Sequence, residues 1–344
     1  MPTDVPSFVD ALPKVELHVH LVGSASVDTV LTLARRHADG PPRALAVPTD
    51  PERLRAFYEF TDFAHFIEVI LAVGELVTTG EDVTTLVVGL ARDLASRRVR
   101  YSEVTVTPVN HLLAGVDQDE LAEALAVGRR RAAEEHGVEL AWIFDIPGEK
   151  GPKAGLDTVD WVLRHRPEGT VGFGLGGPED GFPRELFREA FDRARAAGLR
   201  SLPHAGETTG PETVWSALRD LGAERIGHGI NAVDDPRLLD HLAEHGIPLE
   251  VCPTSNVRTR AVRSLAEHPL PRLLAAGVPV TLATDDPGMF DTDLNREYLL
   301  CHTEFGMSPA ELAELSRAGV RAAFCDEATR TRLLTEIDEV AAGA

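Results

Sequence analysis

Short apolar, β-rich runs recur along this chain, each followed by polar or Gly/Pro residues and then by a stretch with apolar residues at three-to-four spacing. The runs are 15–19, 100–105, 139–145, 171–175, 200–203, 225–227, 248–251 and 279–283, and helical stretches such as 119–136, 184–197, 213–221, 236–245 and 269–276 lie between them. Continuous apolar runs of strand length alternating with amphipathic helices are what a parallel sheet buried on both faces requires. Eight such units close into an α/β fold of the (β/α)8, or TIM, barrel type. The spacing predicts one barrel domain over residues 1–344 with additional helices, including a lid-like helical insertion at about residues 50–80 around the apolar-aromatic segment 54–77.

Charge narrows the partners. With 55 acidic against 34 basic residues the formal net charge is −21, and the only lysines are Lys14, Lys150 and Lys153. No Lys/Arg run offers a track for phosphates, so nucleic acid is not expected as a partner. An anionic membrane surface would repel the chain, and no window approaches 18 uninterrupted apolar residues. Cys252, Cys301 and Cys325 are isolated, which points to a reducing compartment, and the N-terminal segment has acids and prolines where a secretion signal needs a basic and then an apolar stretch. A cytoplasmic protein is expected.

The chemistry-bearing residues check the strand assignment independently. His18 with His20, His204, His228, and Asp285 with Asp286 each fall at the C-terminal end of a different candidate strand, and barrel enzymes place their chemistry on that rim. In His18-Val19-His20 the alternation of a strand turns both imidazoles to one side. Taken singly, such a pair, or His204, reads equally as ordinary polar residues at a strand end. Together with Asp285 they offer three imidazoles and a carboxylate from three strands, a donor set that suits one Zn²⁺ and leaves room for a water whose pKa the metal lowers towards about 7. Glu207, three residues after His204, is placed for a general acid. His228 is placed to orient or deprotonate the water, and Asp286 to accept a hydrogen bond from water or substrate. This is the equipment of hydrolytic attack on a C–N bond.

The segments PKVELHVHLVGS, LPHAGE, RIGHG, LEVCPTSN and TDDP, in this order from Lys14 to about Asn295, resemble the signature segments of the adenosine deaminase family within the amidohydrolase superfamily. The resemblance implies a (β/α)8 barrel with one zinc ion on His18, His20, His204 and Asp285. It makes Glu207 the acid that protonates purine N1, His228 the residue serving the attacking hydroxide, and Asp286 the carboxylate that meets the water and N7. It also makes Gly177, in GLGGPE, the glycine whose backbone meets N3. The reaction implied is hydrolytic removal of the 6-amino group of an adenine-containing small molecule. The H-x-E with P-C-x-x-C signature of cytidine-type deaminases is absent, and VGFGLGGPE lacks the lysine with which binuclear amidohydrolases bridge two metals.

One position departs from the pattern. Adenosine deaminases carry an aspartate for the ribose 5′-hydroxyl where this chain has Val22. A buried hydroxyl left unpaired costs about 1–3 kcal/mol, so either another residue compensates or the substrate is apolar at its 5′ end. HLVGSAS, TDFAHF, FDIPGE, FGLGGPE and HAGETTGPETVW resemble aminodeoxyfutalosine deaminases of the futalosine route to menaquinone, whose substrate is extended at the 5′ carbon by an aryl ketone bearing a carboxylate. That resemblance implies conversion of 6-aminodeoxyfutalosine to futalosine and ammonia. Adenosine or 2′-deoxyadenosine is the alternative substrate, followed by free adenine. A non-catalytic nucleoside-binding paralogue would be expected to lack Glu207, His228 or a ligand, and none is missing. Arg258, Arg260 or Arg263 are candidates for the substrate carboxylate, and equally read as solvated charges. Asp145, ending FDIPGE, is a candidate for sugar contact. Phe60, Phe63 and Phe66 read either as a lid over the pocket or as helix core.

Overall fold

In the computed structural model, which describes residues 4–40, 46–61 and 63–343 with the side chains of residues 63 and 64 left aside, each apolar run is a strand. They are β1 (Lys14–His20), β2 (Val99–Val106), β3 (Glu139–Pro147), β4 (Thr170–Gly176), β5 (Arg200–Ala205), β6 (Ile226–His228), β7 (Leu249–Val251) and β8 (Val280–Leu282). Spatial order follows chain order and every neighbouring pair is parallel. The ring is drawn together at its C-terminal rim, where Asp285 N–H donates to His18 O and His20 N–H to Asp285 O, both at 2.9 Å. This is the expected eight-stranded barrel wrapped by helices.

The strands hold because both faces are covered. Leu140, Trp142, Phe144 and Ile146 of β3 are all fully buried, alternating with nearly buried Ala141, Ile143 and Asp145. β7 and β8 start one residue later than the sequence pattern suggests, because Pro248 and Pro279 have no N–H for the ladder. Their carbonyls still take part, accepting Ile226 N–H and Leu249 N–H at 3.0 Å. The return helices show ordinary end signals. Pro236–His245, for example, is capped by the Asp235 carboxylate on Arg237 N–H at 3.0 Å and stops at Gly246, whose φ of 64° is in the left-handed region.

Over the rim of β1 and β8 lie the helices Pro51–Phe57 and Phe63–Gly74. Tyr58 O–H donates to Ala25 O at 3.1 Å, while buried Phe66 packs on Phe60 and Phe290 with ring centroids 5.2 and 5.0 Å apart. Phe60 and Phe66 thus serve as packing that fastens this segment to the turn after β8; the Phe63 side chain lies outside the described residues. Among the described residues no helix is long and apolar enough to cross a membrane.

Candidate active site

Five donors meet at the C-terminal rim. His18 and His20 come from β1, His204 from β5, His228 from β6, and Asp285 from the turn after β8. One ligand atom each of His18, His204, His228 and Asp285 lies within 4.8 Å of the others, and His20 Nε2 stands 3.3 Å from His204 Nε2 and 3.2 Å from Asp285 Oδ1. His18 Nε2 is 3.4 Å from the same Asp285 oxygen. Donors held tetrahedrally around one Zn²⁺ at bonds of about 2.0–2.2 Å sit roughly 3.4 Å apart, so these separations fit a common ion. The chemistry fits too. His18 Nε2 is buried without a hydrogen-bond partner, an orphaned lone pair or N–H aimed at the same point as the other donors, and three imidazoles with a carboxylate are ligands that zinc takes.

Two of these residues are held in a backbone conformation that side chains rarely adopt, His228 at φ 59° and Asp285 at φ 66°. Strain of this kind persists where surrounding contacts over-determine the residue, and here both are buried. Ser255 O–H donates to Asp285 Oδ2 at 2.6 Å, which leaves Oδ1 towards the imidazoles. Gly227 is required by crowding, since a Cβ there would lie 2.8 Å from His18 Cε1 and 3.1 Å from His204 Cγ.

The candidate acids differ in protonation. Burial, reinforced by Asp285 and Glu179, pushes Glu207 up to about 8, so its carboxyl holds a proton at neutral pH. Its Oε1 accepts Thr259 O–H at 3.2 Å and its Oε2 is 3.6 Å from His228 Nε2. Asp286 is raised to about 7 by burial and by the charge of Asp285 next to it. Its Oδ1 is buried and unpartnered, directly over Gly23, where any side chain would collide with it. Neighbouring carboxyls with separated affinities for the proton are a mark of acid–base sites.

The other expected residues are more dispersed. Gly177 sits at φ 79° with its α-carbon against Glu149. Asp145 is buried and accepts Thr107 O–H at 2.5 Å. Val22 is half-buried against the core. Arg258 lies with its guanidinium 5.6 Å from the Phe60 ring, Arg260 donates to Thr61 O at 2.9 Å, and Arg263 is exposed. The first two arginines tie the turn after β7 to the segment over the rim.

Several functional positions escaped sequence reasoning. Glu250 accepts from His18 Nδ1 at 2.5 Å and pairs with Arg225, which in turn pairs with Glu103 at 2.5 Å, all buried inside the barrel. Although burial drives Glu250 upward, Arg225 and His18 outweigh it and hold the carboxyl down to about 2. The signal was present: an acid inside an apolar parallel strand, as in IPLEVC or YSEVTV, is too costly without a partner. Glu179 braces the acid-bearing loop, accepting Gly206 N–H, Glu207 N–H and Thr208 N–H at 2.7–3.0 Å and Thr209 O–H at 2.5 Å. Asn231 holds the same loop from the other side through Glu207 O and Thr209 O, at 3.0 and 2.8 Å. Glu179 closes the GLGGPE segment in which only Gly177 was singled out, and nothing in the sequence context of Asn231 marks it.

With this geometry in hand, the comparisons with known proteins are specific. A sequence model of the adenosine deaminase family matches residues 13–340. The chain is 54% identical over 337 residues, 97% of this chain and 93% of the other, to the aminodeoxyfutalosine deaminase of Streptomyces avermitilis. Among solved structures it is similar to an adenine deaminase from Arthrobacter aurescens, with 32% identity, TM-score 0.88 and coverage of 95% and 98% of the two chains. It is equally similar in shape to an amidohydrolase from Burkholderia ambifaria with bound zinc, at 28% identity, TM-score 0.88 and coverage of 100% and 96%. A family match over nearly all of the chain, on a barrel whose rim gathers this donor set, identifies the protein as a member of the adenosine deaminase family.

Proposed function

We propose that this chain is a mononuclear zinc deaminase that converts 6-aminodeoxyfutalosine to futalosine and ammonia in the cytoplasm. The observation that carries the reading is the convergence of three imidazoles and Asp285 beside the largely covered Glu207 carboxyl. The aminodeoxyfutalosine preference is supported by the relative at 54% identity and by Val22, which cannot bond a 5′-hydroxyl and suits a substrate extended there by an apolar group. Free cysteines at 252, 301 and 325 agree with a reducing compartment.

His18, His20, His204 and Asp285 would hold the zinc. Once bound, the ion would supply a Lewis acid that brings water near its pKa at neutral pH. Glu207, carrying a proton at pH 7, delivers it to purine N1 as attack at C6 breaks the aromaticity of the ring. His228 and Asp286 face the attacking water, and Asp286 also reaches N7. The backbone of Gly177 meets N3, and Asp145 contacts the sugar. Asp286 takes the proton of the attacking water and passes it to the 6-amino group, which leaves the tetrahedral carbon as ammonia; the proton of the new 6-hydroxyl returns to Glu207, and a 6-oxopurine remains with its hydrogen on N1. These groups stabilise charge that develops only in the transition state, which is where their placement raises the rate. The helices of residues 50–80 form a lid on the same domain, and the partner is a small purine nucleoside.

Parallel ammonia-release assays on 6-aminodeoxyfutalosine, adenosine and adenine test the substrate. The expected result is a kcat/KM highest for 6-aminodeoxyfutalosine; adenosine turned over far faster would overturn the substrate assignment while leaving the deaminase assignment intact.

A further inference from the structure

His228 has two roles open to it at this site, taking a proton from the attacking water or donating a hydrogen bond to its oxygen. Which one it performs depends on which ring nitrogen carries hydrogen. A chain of buried hydrogen bonds behind the ring answers this, starting from a donor whose identity is not in doubt. Leu270 N–H is a backbone donor, and it points to His268 Nδ1 at 3.1 Å. His268 Nδ1 therefore holds a lone pair, the ring is neutral, and its hydrogen sits on Nε2. That Nε2–H faces Asn256 Oδ1 at 3.2 Å, which fixes the orientation of the amide. The Asn256 NH2 then donates to His228 Nδ1, again at 3.2 Å. His228 Nδ1 must accept, so the hydrogen of this ring sits on Nε2. Burial agrees at the start of the chain, pushing His268 down to about 4. Asn256 and His228 are almost fully enclosed, at 0% and 1% exposure, so water does not compete for these bonds.

We infer that His268 and Asn256 are positioning residues that lock His228 as the Nε2–H tautomer, so that His228 donates to the attacking water and does not take its proton. The tautomer also separates the fifth donor from the metal set: an Nε2 that bears hydrogen has no lone pair for a cation, whereas His20 Nε2 stands within reach of both His204 and Asp285. His228 Nε2 stands 3.6 Å from Glu207 Oε2, on the side of the ring away from Asn256. The inference rests on the proposed hydrolytic reading for its role, but the tautomer can be read without any substrate.

The test is a long-range ¹H–¹⁵N correlation spectrum of the zinc-loaded full chain labelled with ¹⁵N-histidine, the His228 signals being assigned by their loss in His228→Gln. The expected spectrum shows Nδ1 unprotonated and Nε2 protonated. A protonated Nδ1, alone or on a doubly protonated ring, overturns the inference whatever the substrate proves to be. Asn256→Asp replaces the donor by an acceptor and should move the hydrogen to Nδ1, with kcat lowered about 100-fold or more and KM little changed, the pattern of a wrong tautomer. His268→Phe cuts the chain at its far end, outside the site, and should lower kcat by a smaller factor without altering zinc content. If either variant fails to fold, the wild-type spectrum still decides. If the His228 signals are broadened away, unchanged kcat in Asn256→Asp and in His268→Phe overturns the inference. Loss of deamination in wild type would instead refute the proposed reaction and leave the spectrum standing.

Discussion

Glu250, on β7, reaches across the barrel interior to accept a 2.5 Å hydrogen bond from Nδ1 of His18 on β1, leaving the other ring nitrogen of His18 facing Asp285. A carboxylate behind a ligating imidazole fixes its tautomer and raises its basicity, and losing it typically costs 10–100-fold in metal affinity. Glu250→Gln should therefore bind zinc about 10- to 100-fold more weakly while its far-ultraviolet circular dichroism is retained. Competition with a chelator measures this, and an unchanged affinity would detach Glu250 from the metal.

Arg225 joins Glu250 to Glu103 in the buried barrel floor and donates also to Ala322 O at 2.8 Å. Removing one partner of a buried ionic group leaves an uncompensated charge, at a cost of about 3–5 kcal/mol. Arg225→Met should lower unfolding stability by that amount in urea titration. A loss below about 1 kcal/mol would mean that Glu103 and Glu250 escape the buried charge by taking up protons or water.

Glu207→Gln should keep its zinc and lose about 10²–10⁴-fold in kcat, the usual share of a general acid. The pH dependence carries a sign. Burial, with Asp285 and Glu179, raises Glu207 to about 8, so the proton to be delivered is present below that pH and gone above it. The wild-type kcat/KM should fall on the alkaline side near pH 8, and the residual activity of Glu207→Gln should lack that limb. Retention of full activity in the variant would remove Glu207 from the acid role.

Gly227→Ala asks whether the imidazoles need the space they occupy. A Cβ there would press on His18 at 2.8 Å and on His204 at 3.1 Å, so one of the two rings must shift. Zinc content by metal analysis should drop well below one per chain in a protein that still folds. Full occupancy would show that the rim relaxes more easily than its packing suggests.

Val22→Asp restores the acceptor that adenosine-directed relatives carry. Satisfying a buried hydroxyl is worth about 1–3 kcal/mol, or roughly 5- to 150-fold in kcat/KM. The rise is expected for adenosine, with a fall for 6-aminodeoxyfutalosine. Equal changes for both substrates would mean that Val22 does not meet the 5′ end.

The barrel itself was legible because its signal is local and repeated. Each strand is a short apolar run, and each stands within two residues of where the sequence places it. The rim residues were legible for a related reason. His18, His20, His204, His228 and Asp285 lie within three residues of the C-terminal ends of their strands, and a barrel brings strand ends together whatever its helices do. The segment of residues 50–80 was legible only as helix. Whether its aromatics face a pocket or the protein depends on which turn lies beneath, and Phe66 lies against Phe290, far away in sequence.

What the sequence determined by itself was therefore the alternation of elements, the barrel, and which side chains arrive at its mouth. Their states were decided only in three dimensions. Glu207 is raised to about 8 because folding covers most of its carboxyl and sets Asp285 and Glu179 nearby. His18 is oriented by Glu250, 232 positions away, and His228 by a chain that begins at Leu270 N–H. Periodicity follows from neighbours along the chain, whereas protonation and tautomer follow from burial and from hydrogen-bond partners that only folding brings within 3 Å or so.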